Sequence, residues 1–204
     1  MLAMNLIRTV CVYCGSSPGA DPAFMEGAKA LGKILAEEGV NLVYGGGSNG
    51  LMGAVAMAVH DNGGHVVGVI PEFLQARELA YDGVTEMVVT PDMHERKRIM
   101  FERADAFVAL PGGIGTLEEL IEQMTWAQLG RHKKPILVLN SGGFWDPLCA
   151  LIEHMTKLAF IHTAANVNLL VADRVEDVLP KLRAAVRSVP EAEKFMKAGT
   201  AEKL

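Results

Sequence analysis

What this chain lacks narrows its function before any motif is read. No uninterrupted apolar run approaches the ~20 residues that a membrane span needs, although half of the residues are apolar and the mean hydropathy is positive. The surplus of apolar surface is therefore expected in a subunit interface, and the Met-rich stretch Met52 to Met57 is the expected contributor to a homodimer. The N-terminus has no charged region followed by a full apolar segment and a small-residue cleavage site, so nothing predicts secretion and the expectation is cytoplasmic. Positive charge is in deficit, with 19 Lys and Arg against 24 Asp and Glu and a net charge of −5. That balance argues against non-specific binding to nucleic acid but allows a local basic pocket for one phosphate.

Cysteine is scarce too: there are three. Cys11 and Cys14 have C-x-x-C spacing, yet they lie in an apolar run that reads as a strand, where residues three apart face opposite sides. Redox pairs sit at helix N-termini instead, so both thiols are expected to be structural, and Cys149, in a later helical pattern, to be core. The six histidines include no H-E-x-x-H and no pairing with cysteine at a ligand spacing, so no metal is expected. A Ser-His-Asp hydrolase is disfavoured because the G-x-S-x-G elbow is missing. No repeat, low-complexity segment or second domain is visible.

What is present is a regular alternation. Apolar runs at Thr9–Cys14, Asn41–Tyr44, His65–Ile70, Thr85–Val89, Ala106–Leu110, Pro135–Leu139 and Asn168–Val171 alternate with helical patterns near 21–38, 50–62, 92–103, 115–129, 145–157 and 173–186. This predicts an α/β fold: a doubly wound, mainly parallel, Rossmann-like sheet of about seven strands in a single domain over 1–186. A chain of this size buries roughly 70% of its unfolded surface. Residues 187–204 are expected to form a tail or a short outer helix. Ligands in such sheets bind beyond the carboxyl ends of the strands, where three small-residue loops converge here: Gly15 to Ser17, Gly45 to Gly50 and Pro111 to Thr116.

The third loop carries most of the functional signal. Pro111-Gly112-Gly113-Ile114-Gly115-Thr116-Leu117-Glu118-Glu119 follows a strand and opens a helix, which places backbone N–H groups and the positive end of a helix dipole around an anion, most often phosphate. Glu119 then lies one helical turn beyond Gly115, where a carboxylate would only repel the anion unless it has chemistry to perform. A Thr116-x-x-Glu119 capping box is the bland alternative. Upstream, Asp92 and Glu95 have capping-box spacing and predict a helix from about residue 93, with Arg96 and Lys97 set against the macrodipole in its first turns. A nearby anion would compensate; so would pairing with Glu95 and Glu102. Gly45-x-Gly47-x-x-Gly50 also fits a dinucleotide fingerprint with Glu72 as the ribose acid, but a phosphate contact from this loop is the better expectation.

Met93-His94-x-Arg96-Lys97 together with Pro111-Gly112-Gly113-x-Gly115-Thr116-x-x-Glu119 resembles the paired signature of the Lonely guy family, the cytokinin riboside 5′-monophosphate phosphoribohydrolases, also described as possible lysine decarboxylases. The resemblance runs from about Thr9 to about Val186. It implies that Arg96 and Glu119 are the catalytic pair and that Glu78, Lys97, Gly113, Ile114, Gly115, Thr116 and Thr125 contact the nucleotide. Many members have tyrosine where this chain has Ile114. Pyridoxal phosphate on Lys97, which a decarboxylase would require, is not implied, and no cofactor is expected.

The reaction expected is hydrolysis of the N-glycosidic bond of a nucleoside 5′-monophosphate, either a cytokinin riboside 5′-monophosphate or AMP. Glu119 would stabilise the oxocarbenium-like transition state and activate water, and Arg96 would orient ribose and phosphate with charge added by Lys97. Gly112, Gly113, Gly115 and Thr116 would hold the phosphate, helped by Ser16 and by Gly45, Gly46 and Gly47. A non-catalytic nucleotide-binding or sensing protein with the same cradle is the alternative. The active site is expected near a homodimer interface.

Overall fold

The first strand, β1 (Thr9–Tyr13), shows why the sheet is buried on both faces: Val10 and Val12 point to one side while Cys11 and Tyr13 point to the other, and all four are buried. The computed structural model describes residues 7–75, 83–161 and 168–187. In chain order the elements are β1, α1 (Pro22–Glu37), β2 (Asn41–Tyr44), α2 (Gly50–Asp61), β3 (Val66–Pro71), α3 (Glu72–Gln75), β4 (Glu86–Thr90), α4 (Met93–Arg103), β5 (Ala106–Ala109), α5 (Ile114–Gln128), β6 (Ile136–Leu139), α6 (Asp146–Lys157), β7 (Leu169–Ala172) and α7 (Val178–Arg187). The strands form one sheet in the order β4-β3-β2-β1-β5-β6-β7, with every pairing parallel. The expected α/β sheet of seven strands is therefore observed. Ends differ by a residue at several strands, and the last helix begins at Val178 instead of 173, after a short 3₁₀ turn at Val175–Asp177.

Two apolar layers sandwich the sheet. On one face α1, α2 and α7 cover Val10, Val12, Leu42 and Val108; on the other, α4, α5 and α6 cover Cys11, Tyr13, Val43 and Phe107. Cys11 and Cys14 belong to opposite layers, as strand geometry requires, and burial pushes both thiols far up, so they stay protonated and inert. Cys149 departs from expectation. It is only half-buried, because α6 lays an amphipathic face on the sheet without burying any residue completely. The stretch Met52 to Met57 is likewise not an exposed patch: Leu51 to Ala56 are buried beneath α1, and Met57 alone is exposed. Exposed apolar side chains lie on α5 and at its C-cap, where Ile114, Ile121 and Leu129 are 83%, 37% and 71% exposed, and on and after α6, at Leu151, Leu158 and Phe160. No described helix is long and apolar enough to cross a membrane.

Strand order decides where a ligand can sit. Successive strands run outward from β1 to β4 on one side, and the chain then returns to place β5 on the other flank of β1. The crevice beyond the carboxyl ends of β1 and β5 is the switch point at which doubly wound sheets bind ligands.

Candidate active site

The loops after β1 and β5 are stitched together at this crevice. Leu110 donates its N–H to the Tyr13 carbonyl at 2.9 Å and Gly15 donates to the Pro111 carbonyl at 3.1 Å. The backbones are so close that a Cβ on Gly112 would collide with Thr116 and lie 2.9 Å from the Gly15 nitrogen, so glycine is required there to seat Thr116. Gly113 and Gly115 differ: a Cβ on either would meet open space, which is the side of the loop left to a ligand. Between these loops and α4 lies a cavity of about 330 Å³, walled by Ser16, Arg96, Gly113, Thr116 and Glu119 among others.

Helix α5 begins without a side-chain cap. Gly113 is the N-cap residue, with extended backbone and no side chain to offer its first turn. Thr116 is the third residue inside the helix and is buried, so the Thr116–Glu119 capping box does not form. Ile114, Gly115 and Thr116, whose N–H groups open the helix, lie at the cavity wall, where an anion would satisfy those groups and the dipole together.

Helix α4 is capped as the spacing predicted, the Asp92 carboxylate accepting from the Glu95 N–H at 2.8 Å. Arg96 is one turn further on and is 6% exposed. Its charge is met by main-chain oxygens, because Nε donates to the Val69 carbonyl at 3.0 Å and Nη2 to the Gly45 carbonyl at 3.1 Å. Nη1 lies at the cavity, where it donates to Met93 Sδ at 3.7 Å and stands 3.8 Å from Glu119 Oε1. The Glu119 side chain is 12% exposed. Burial raises its pKa to about 7; Arg96 and Lys97 pull it down, while Glu118 and Glu122 push it up. A carboxyl group poised near neutrality beside a fixed guanidinium can hold or release a proton at working pH.

The remaining predicted contacts divide. Ser16, Gly112 to Thr116, Arg96 and Glu119 converge on the crevice. Gly45, Gly46 and Gly47 are buried, and a Cβ on Gly45 would overlap Arg96 Nη2. Gly45 seats the arginine. The dinucleotide reading fails on the same ground, since the Gly15 carbonyl already takes the Leu51 and Met52 N–H groups of α2 at 3.0 and 3.3 Å, and a Cβ on Gly50 would strike the Ser16–Ser17 backbone. Glu72 is exposed at the start of α3. Lys97 is not in the cavity wall, and Thr125 is exposed on α5 with its hydroxyl bonded to the Ile121 carbonyl at 2.8 Å. Glu78 lies outside the described residues. Met52, Met93, Cys14 and Glu118 also line the cavity, though none of them was given a part in the site from sequence; Met93 and Glu118 lie within the motif segments. Among the described residues no group of three His, Cys, Asp or Glu side chains is placed to hold a metal.

Residues 52–182 match the family model described as "Possible lysine decarboxylase". Over 91% of its length the chain is 50% identical to a rice (Oryza sativa subsp. japonica) protein named cytokinin riboside 5′-monophosphate phosphoribohydrolase LOG, of which it covers 76%. The chain belongs to the Lonely guy family. An Arabidopsis thaliana phosphoribohydrolase of the same name is 46% identical to this Lonely guy chain over 86% of it, covering 81% of the relative. Among solved structures, the Moco carrier protein from Chlamydomonas reinhardtii (TM-score 0.67, 23% identity, 89% of this chain and 98% of that one) has the same fold. So does the molybdenum cofactor binding protein from Rippkaea orientalis (TM-score 0.65, 21% identity, 87% and 96%).

Proposed function

We propose that this Lonely guy protein is a hydrolase that cleaves the N-glycosidic bond of a nucleoside 5′-monophosphate to a free base and ribose 5-phosphate. The observation that carries this reading is Glu119, a nearly buried carboxyl facing Arg96 Nη1 in the same cavity as the uncapped start of α5. With the phosphate on the first-turn N–H groups of α5, the ribose extends toward Glu119. Breaking the glycosidic bond puts positive charge on the ribose, and the carboxylate offsets charge that exists only in the transition state. The same carboxylate orients a water and takes its proton. Arg96, held in place by two carbonyls, turns Nη1 toward the substrate, its contact there being a weak one to Met93 Sδ. A purely nucleotide-binding protein is the weaker reading, because Glu119 caps nothing and sets a carboxylate next to an anion site.

The relatives' names support a cytokinin riboside 5′-monophosphate as substrate, and the same cavity chemistry suits AMP. Homodimerisation is part of the proposal, supported by the exposed Ile114 and Ile121 on the helix that carries Glu119 and by Leu129 at its C-cap. A reducing, cytoplasmic setting suits three free thiols. Base release is to be followed for isopentenyladenosine monophosphate, AMP, adenosine and ATP. Monophosphates are expected to be cleaved and the others not, since the remote phosphate supplies the energy that positions the sugar. Equal rates on adenosine and AMP would refute the phosphate cradle.

A further inference from the structure

Arg96 Nη1, the donor turned toward the substrate, touches a sulfur. Met93, the first residue of α4, presents Sδ at 3.7 Å from Nη1 and lines the cavity with Arg96 and Glu119. Of the two methionines in that wall, Met52 is buried at 6% exposure, whereas Met93 is half-buried. A thioether is a weak acceptor, so this contact gives way when a phosphate or ribose oxygen arrives. We propose that Met93 is a peroxide-sensitive modification site: its oxidation to the sulfoxide places a strong acceptor on Arg96 Nη1 and shuts the active site, and reduction reopens it. The inference rests on the hydrolase reading above.

The step balances with hydrogen peroxide as the oxidant. A sulfur lone pair takes one peroxide oxygen, so an S–O bond forms and the O–O bond breaks. Sulfur is oxidised by two electrons, and the other oxygen leaves as water with the proton of the transferred one. The product is polar where the thioether was apolar, and its oxygen carries partial negative charge. With Sδ already 3.7 Å from Nη1, an oxygen on that side of the sulfur lies within hydrogen-bond reach of the guanidinium without backbone movement. The guanidinium cannot turn away from it. Nε and Nη2 are held by the Val69 and Gly45 carbonyls at 3.0 and 3.1 Å, so the bond to the sulfoxide is charge-assisted and competes with the substrate for Nη1. The thiol in the cavity wall is a poor rival for peroxide: Cys14 is buried and stays protonated, while cysteine oxidation proceeds through the thiolate.

The test titrates the full-length protein with hydrogen peroxide as wild type, Met93→Leu, Met93→Gln and Met57→Leu, Met57 being an exposed methionine on α2. Peptide mass spectrometry follows sulfoxide at each methionine. Two readouts are taken: kcat/KM for base release from AMP, and the affinity for AMP in a Glu119→Gln background, where the ligand survives. As Met93 sulfoxide forms, wild type and Met57→Leu are expected to lose roughly tenfold or more in both, and methionine sulfoxide reductases to restore them. Met93→Leu is expected to keep its own untreated rate through the same treatment. Met93→Gln, whose amide oxygen is a permanent acceptor beside Nη1, is expected to show the loss with no peroxide added. Stoichiometric Met93 sulfoxide with rate and affinity unchanged overturns the proposal, as does a Met93→Leu variant inactivated as fast as wild type. So does peroxide that modifies Met57 and leaves Met93 intact. Should Met93→Gln fail to fold, treated wild type against treated Met93→Leu decides. If untreated wild type releases no base from any monophosphate, the hydrolase reading falls, and the change in AMP affinity on oxidation still decides the role of Met93.

Discussion

Replacing Glu119 by Gln is expected to make the protein more stable and less active at once, and the stability gain can be worked out from the structure. Burial lifts the Glu119 pKa from 4.5 to about 7. A carboxyl whose folded pKa is raised contributes its full stability below the unfolded value, near 4.5, and loses it as pH rises through about 7. The difference of about 2.5 units corresponds to about 3 kcal/mol lost by pH 8 to 9, at 1.36 kcal/mol per unit. Glutamine keeps the size of the group and never ionises, so the variant escapes that loss. For a chain of this length roughly 2–4 °C per kcal/mol applies, and the Tm of Glu119→Gln should exceed wild type by on the order of 10 °C at pH 8.5. Near pH 4 the two should melt together. Steady-state base release from AMP should meanwhile fall on the order of 10²-fold or more, since glutamine stabilises developing positive charge poorly and cannot take a proton. Thermal melts at pH 4, 7 and 8.5 beside the activity assay decide the matter. If Glu119→Gln melts no higher than wild type at pH 8.5 and retains its turnover, both the burial argument and the catalytic role are wrong.

Gly45→Ala should cost on the order of 10²-fold in kcat with KM less affected, because the added Cβ pushes Arg96 Nη2 off the Gly45 carbonyl; near-normal turnover in a folded variant would remove the positioning role of this loop. Arg96→Ala should abolish most turnover, whereas Arg98→Ala should change activity and Tm little, since Arg98 is exposed and makes only surface pairs with Glu95 and Glu102 at 3.1 and 4.0 Å. Equal losses at the two positions would argue for general charge in place of a directed guanidinium. Static light scattering is expected to give a dimer or a multiple of dimers, with Ile121→Glu weakening association; a fully active monomer at assay concentration would exclude the interface proposed on α5.

The alternation of apolar runs with helical patterns was enough to read the parallel sheet, because strands buried on both faces require continuous apolar stretches and parallel strands require crossovers. The glycine turn at Pro111 to Thr116 was legible for a similar local reason: an anion site at a helix start is made of residues adjacent in sequence. Neighbouring residues cannot say which backbone atoms a side chain will meet, and there the sequence by itself fell short. Gly45 reads as a phosphate contact, and only the meeting of β2, β3 and α4 shows that Arg96 fills the space its missing Cβ leaves. Lys97 reads locally as an anion clamp, and only the fold brings Glu118 and Glu122, 21 and 25 residues away, to its ammonium. Thr116 and Glu119 had the spacing of a cap, but the helix starts two residues before Thr116, which turns one residue into wall and the other into a buried carboxyl. Local spacing determined which groups could reach the crevice. Tertiary packing, by removing water and supplying partners distant in sequence, decided which of them kept a donor at the cavity and a shifted proton affinity for the reaction.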